Sequence, residues 1–369
     1  MPVNLAALVL RGCRNISNFY LNSLAKIRGI NVGTSNYAYV ANQGSNNISQ
    51  YCIAAHGSLA PMVTATVAAG TTPVFIAVAP SGKYAYVANQ GGNSISQYKI
   101  NADGNLQAIA TPVAAGTSPV EIAIDPSGKY AYVANSSSND VSQYLIAENG
   151  VLTAMTPATI ETGMIPVAIS VDSSGKYVYV VNNSSNNISQ YAITGNGSLA
   201  ALLPANIAAG TAPRAMSIAP SGKYVYVVNR SSGDVFQYQK SPDGSLKPIS
   251  VPVAAGRHPM AICISPSGKH AYVVNQNSNS ISQYFLAENG SLEPMTPAMV
   301  ASVATPVSIA VTRSGKYAYV TNIASNNVSQ YAINGQGGLM PIPVNTWGDA
   351  CIASEVSPRC VVAVEMKPS

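Results

Sequence analysis

The sequence predicts an all-β protein: a seven-bladed β-propeller of four-stranded antiparallel blades, its ring closed by a C-terminal strand. Three observations carry that prediction. The motif Tyr-x-Tyr-Val-x-Asn, or a close variant, recurs with its second Tyr at Tyr39, Tyr86, Tyr132, Tyr179, Tyr226, Tyr272 and Tyr319. Successive copies are 46 or 47 residues apart, about one four-stranded blade. Hydrophobic residues make up 47% and charged residues only 9%, far from the composition of a disordered chain.

From the N-terminus, residues 1–33 predict an irregular segment ahead of a single propeller domain over 34–369. The start, MPVNLAALVLRGCR, has a short apolar run with no charge before it, a poor secretory signal. No apolar run approaches the ~20 residues that span a bilayer. Cytoplasm is the default compartment; a surface or secreted location stays open. Asn15-Ile-Ser-Asn-Phe-Tyr-Leu21 reads as a third strand lacking its blade, able to pair with the tail.

One full unit runs from Pro73 to Gly116. Val74-Phe-Ile-Ala-Val-Ala79 is a short continuous apolar run, as in a strand buried on both faces. Pro80-Ser-Gly-Lys83 suits a type I turn closing on a left-handed Gly. Tyr84-Ala-Tyr-Val-Ala88 alternates large and small side chains with period two, a second strand. Ile95-Ser-Gln-Tyr-Lys-Ile100 is a third, Asp103-Gly104 a tight hairpin, and Leu106 to Ala114 a weaker fourth. Tyr84 and Tyr86 share one face and Ala85 and Val87 the other, so the large face of one blade fits the small face of the next. A single blade cannot cover its own faces, so only the closed array is stable. Buried Tyr hydroxyls need partners, and the recurring Ser96-Gln97 and Ser142-Gln143 are expected to supply them.

The ends are irregular. Tyr37 to Val40 follows Gly33-Thr34-Ser35 with no apolar strand before it. Cys351-Ile-Ala-Ser-Glu-Val356 is expected to be that missing inner strand of blade one, with a composite eighth blade as the rival arrangement.

Charge excludes some partners. The formal charge is +5, but many basic residues are the Lys of the Ser-Gly-Lys turn, such as Lys83, Lys129 and Lys176. Spread around a ring they form no stripe for a phosphate backbone, so nucleic acid is not expected as a partner. The five cysteines (Cys13, Cys52, Cys263, Cys351, Cys360) contain no CxxC pair. No metal or other cofactor is expected, and the chain is expected to be a monomer. Cys351 and Cys360 read as two thiols, with pairing in an oxidising compartment as the alternative.

Candidate function lies where the internal repeat breaks. The loop leading into each inner strand and the loop after each second strand lie on one face of the disc. After the inner-strand Pro stand Val74, Val120, Val167, Arg214, Met260 and Val307, with Arg214 the outlier. One place later Glu121 is the only acid among Phe75, Ala168, Ala215, Ala261 and Ser308. Before the Pro, the usual Thr-x becomes Arg257-His258, and after the second-strand Asn, Arg230 breaks a polar series. Read functionally, the five form an anion site at the channel mouth: Arg214, Arg230 and Arg257 for a carboxylate or phosphate, His258 or Glu121 as a base. The plainer alternative is a set of solvated rim charges. The seven recurring Asn residues, Asn42 through Asn322, read as turn chemistry.

The repeats PVxIAVxPSGKYAYVAN and ISQYxI resemble YVTN-type propellers and the seven-bladed lactonase family that includes the propeller 6-phosphogluconolactonases, over about residues 34–345. That resemblance implies hydrolysis of a sugar lactone. The lactonases typically carry Pro-Arg-His where an inner strand begins and an acidic residue after the next YxYxxN strand. Here the matching stretches are Pro213-Arg214-Ala215 and Asn229-Arg230, so the Arg is kept while Ala215 and Arg230 replace the His and the acid. Two functions follow. One is a lactone hydrolase with Arg214 on the developing oxyanion and His258 or Glu121 taking the proton. The other is a non-catalytic propeller binding an anionic sugar ligand or a protein partner at its rim.

Overall fold

A computed structural model of the chain describes residues 36–343 and 351–365; Asn15 to Leu21 and Cys13 lie outside the described residues. Seven antiparallel sheets stand in a ring, and no helix occurs among the described residues. Blade five illustrates the order: Pro213–Ile218 innermost, then Tyr224–Asn229, Asp234–Lys240 and the outer Leu246–Pro248. Gly82 adopts φ 69° and its N–H donates to the Ala79 carbonyl, the turn read from Pro80-Ser-Gly-Lys83.

The ring closes through the C-terminus, but with a different strand from the one expected. Pro358–Glu365 pairs with Asn36–Asn42 as the innermost strand of blade one. Cys351–Ala353 instead pairs with Asn327–Ile333 on the outer side of blade seven. The physical reason lies in local chemistry. Ser357-Pro358-Arg359-Cys360-Val361 supplies the left-handed residue, the Pro and the apolar run of the other inner strands, and Ser357 has φ 55°. Blade one is thereby complete, and the described residues form seven blades with no eighth among them.

The faces pack as the alternation predicts. Tyr37 and Tyr39 of blade one share a buried cluster with Ala85 and Val87 of blade two. Tyr86 packs in turn with Ala131 and Val133 of blade three. Each buried aromatic contributes roughly 1.5–3 kcal/mol by area. The Ser of the Ser-Gln pairs serves the third-strand Tyr, as Ser96 does Tyr98 and Ser142 does Tyr144, but the second-strand hydroxyls do not use these pairs. Tyr39 donates to the Gly104 carbonyl at 2.6 Å and Tyr86 to the Gly150 carbonyl at 2.7 Å, each in the next blade. The series continues to Tyr319, which donates to Gly57 and bridges blade seven to blade one. The third-strand Tyr residues reach the other way, as Tyr98 does to the Ala68 carbonyl. Carbonyls win because the glycine hairpin lies directly over the ring below: a Cβ on Gly104 would sit 2.2 Å from the Tyr37 ring.

Gln and Ser serve other ends. Gln50 Oε1 accepts the Leu106 N–H of blade two, and equivalent latches run round to Gln330, which accepts Leu59 N–H of blade one. Ser49 Oγ accepts from Asn42 Nδ2, and Ser96 likewise from Asn89. The Asn ring is therefore fully buried and ties second strand to third, a role beyond turn formation.

Candidate functional site

The inner strands surround a central channel, and each begins with the same irregularity. The pairing of Pro213 with Asn229 is followed by Ala215 with Val228, so Arg214 is bulged out of the ladder. The same register shift recurs in every blade, including Pro358 and Cys360 around Arg359. A bulge re-aims one side chain. Here all seven bulged residues (Val74, Val120, Val167, Arg214, Met260, Val307 and Arg359) line one cavity of about 230 Å³ at the mouth of the channel. Five are apolar and two are arginines. Glu121 lines the same cavity from the next position of blade three.

The electrostatics follow from this placement. Burial pushes the Glu121 carboxyl up to about 8, against the charge of Arg214 and a hydrogen bond with the Ile169 backbone. Arg214 is held below the usual guanidinium range by burial, with the positive charges of Arg359 and Arg230 adding to the effect and Glu121 opposing it. Burial lowers Arg359 as well. Its Nε donates to Gln43 Oε1, which fixes the guanidinium at the channel wall. Glu121 and Arg214 feel each other without forming an ion pair; the ion pair among the described residues is Lys240 with Asp172, between blades five and four. At neutral pH the cavity thus holds two guanidinium charges and a carboxyl kept largely neutral. Such a site favours an anion or a group that becomes one.

Burial keeps the thiols here in their protonated form at neutral pH. Cys360 faces the same cavity from blade one, and burial raises it to about 12; Cys263, on blade six, rises to about 11.

The five residues singled out from the sequence lie at one end of the ring but in two places. Glu121 and Arg214 share the channel cavity. Arg230, Arg257 and His258 line a separate groove between blades five and six. The two sets of lining residues do not overlap. His258 is therefore not assembled with Arg214 and Glu121. It occupies the left-handed position before an inner-strand Pro, with φ 51°, and its ring Nδ1 is buried with no partner among the described residues. The Arg230 Nε is in the same condition.

The sequence reading missed Arg359. Its signal was present: Pro358-Arg359 repeats Pro213-Arg214, but the weak likeness of Cys351–Val356 to an inner strand drew the register away. Among the described residues no group of three or more His, Cys, Asp or Glu could hold a metal ion.

Comparison with known proteins agrees with this architecture. The sequence matches the family described as Lactonase, 7-bladed beta-propeller, over residues 28–164, 153–257 and 245–346. No curated protein sequence matches the chain. Among solved structures, the periplasmic gluconolactonase of Pseudomonas aeruginosa superposes with a TM-score of 0.77 at 18% identity, covering 91% of this chain and 100% of that one. A candidate 6-phosphogluconolactonase from Bacteroides uniformis gives 0.78 at 22% identity, over 89% and 99%. Hydrazine synthase from Kuenenia stuttgartiensis gives 0.63 at 18% identity, over 79% and 89%. Such likenesses speak to the fold, which hosts unrelated chemistries.

Proposed function

Because the chain belongs to the seven-bladed β-propeller lactonase family, we propose that it hydrolyses a small lactone in the channel mouth. One observation carries the reading: the two bulged arginines, Arg214 and Arg359, face a raised-pKa carboxyl in a ring that is otherwise apolar at the bulge. Ionised Glu121 takes a proton from water as the water oxygen bonds to the lactone carbonyl carbon. Arg214 and Arg359 then hold the developing oxyanion. Collapse breaks the ring C–O bond, the leaving oxygen recovers the proton from Glu121, and the product is a hydroxy acid. A base titrating near the working pH combines useful ionisation with useful strength. The cavity of about 230 Å³ falls below the range of drug-sized pockets and suits a single small ring.

The test is hydrolysis of 6-phosphogluconolactone and a panel of neutral lactones by purified protein, with spontaneous hydrolysis subtracted. Arg214→Ala and Arg359→Ala should each lower turnover roughly 100-fold or more, whereas His258→Ala, in the other cavity, should not. No hydrolysis by a well-folded sample on any lactone tried would overturn the reading.

A second reading has its own observation. Ala215 and Arg230 stand where the lactonases carry a His and an acid, and no imidazole lines the channel cavity. On that reading the same arginines bind a sugar acid or another small anion without turnover, and the rim engages a protein partner. Saturable binding of gluconate with no hydrolysis of any lactone would favour it.

A further inference from the structure

The seven blade junctions are alike except one. Between the second and third strands, six blades place a left-handed Asn: Asn46, Asn93, Asn139, Asn186, Asn279 and Asn326. In each case its Oδ1 accepts the N–H of the residue before the next blade's inner-strand Pro, at 2.7 to 2.9 Å. Blade five has Gly233 there, with φ 70°. The backbone is unaltered, since Gly233 O accepts from Ala255 N–H as Asn46 O does from Ala69 N–H. Only the side-chain acceptor is gone. The His258 N–H it would have served has no acceptor among the described residues.

The residues around the vacancy change in step. Arg230, Arg257 and His258 all line the groove over Gly233, and no carboxylate does. Asp234, the neighbouring acid, is turned aside to accept from Asn229 and Ser232. Arg230 Nε and His258 Nδ1 are shielded there without partners among the described residues. One junction thus loses an oxygen acceptor and carries two guanidinium groups and an imidazole where other junctions carry neutral side chains such as Thr71, Thr72 and Gln43. Rim charges scattered without a task would have no reason to coincide with the one missing acceptor.

We propose that this groove is a second site, separate from the channel, for a compact oxyanion (a phosphate or carboxylate group) whose oxygen takes the place of the missing Asn Oδ1. The His258 N–H and the guanidinium groups of Arg230 and Arg257 donate to it. The inference stands apart from the lactonase reading, because it uses no channel residue.

The experiment removes the channel's contribution first. In the Arg214→Ala, Arg359→Ala double variant, titration calorimetry with inorganic phosphate, and in a parallel arm with acetate, should show one bound equivalent; the tighter arm identifies the source of the oxyanion. Adding Gly233→Asn restores the junction of the other six blades and should reduce that affinity at least tenfold. Gly233→Asn should leave circular dichroism and melting intact, because a Cβ there meets only the Gly256 carbonyl, at 3.6 Å. Arg257→Ala should weaken binding without refilling the vacancy. Absence of binding in both arms, or binding unchanged by Gly233→Asn, would overturn the proposal, whatever the lactonase assay returns.

Discussion

Replacing Glu121 with Gln tests the electrostatics of the channel without depending on any substrate. In the folded protein, burial raises this carboxyl from its ordinary 4.5 to about 8. Below pH 4.5 it is protonated whether the chain is folded or not, and it places no pH-dependent burden on stability. Between 4.5 and about 8 the unfolded chain ionises freely while the folded chain keeps the proton. Stability is therefore lost as pH rises through that window and levels off above it. At 1.36 kcal/mol per tenfold change the full rise corresponds to roughly 5 kcal/mol, and the partial exposure of Glu121 reduces this to an expected ~2–4 kcal/mol. Gln is close to isosteric and carries no charge at any pH. Glu121→Gln should match the wild type at pH 4.5 and exceed it by several degrees in unfolding midpoint at pH 9. The assay is thermal or urea unfolding of both proteins across pH 4.5–9. A difference that does not change with pH would refute the argument, because it would mean that the carboxyl is not held protonated by the fold. Turnover, if lactones are the substrate, should move oppositely: it should rise through about pH 8 in the wild type and be lost in the variant.

Other consequences can be tested alongside. Deleting residues 357–369 removes both the innermost strand of blade one and Arg359; the product should aggregate or lose cooperative unfolding, and a native-like melt would contradict ring closure by that strand. Gly104→Ala should destabilise by more than ~1 kcal/mol in urea unfolding, since the residue has φ 82° and its Cβ would collide with the Tyr37 ring. Tyr86→Phe should cost ~1–2 kcal/mol, because it leaves the buried Gly150 carbonyl without its donor. Arg359→Lys should recover little of the turnover lost in Arg359→Ala, because an ammonium cannot reproduce the guanidinium held by Gln43; full recovery would reduce Arg359 to a point charge.

Much of the fold was legible because a propeller is periodic. One blade read correctly is seven blades read, and the alternation of Tyr with Ala or Val in Tyr84–Asn89 specifies which face meets which. What failed in the sequence reading failed where the period weakened or where a partner was distant. Cys351–Val356 resembles a degraded inner strand, whereas the decisive signal is the Ser357-Pro358 start, a left-handed residue before a Pro as in the other inner strands. The Ser-Gln pairs predict partners for the third-strand Tyr, which meet Ser96 and Ser142, but not for the second-strand Tyr, whose acceptors are glycine carbonyls about 65 residues away, brought close by blade stacking.

The candidate site divides in the same way. Sequence alone identified Glu121, Arg214, Arg230, Arg257 and His258, because each departs from its own repeat, and placed them at one end of the ring. Only the tertiary structure could sort them. Positions two residues apart at the start of an inner strand diverge: the residue before the Pro faces the groove between blades, and the bulged residue after it faces the channel. Arg214, Arg359 and Glu121 come from blades five, one and three, so their meeting depends on closure of the ring. The repeat determined the blade, the order of strands and the exceptional residues, because local periodicity is written along the chain. Which exceptions share a cavity, and which carboxyl is kept protonated, was decided by the closed ring, because desolvation and charge act through space across blades that the sequence keeps far apart.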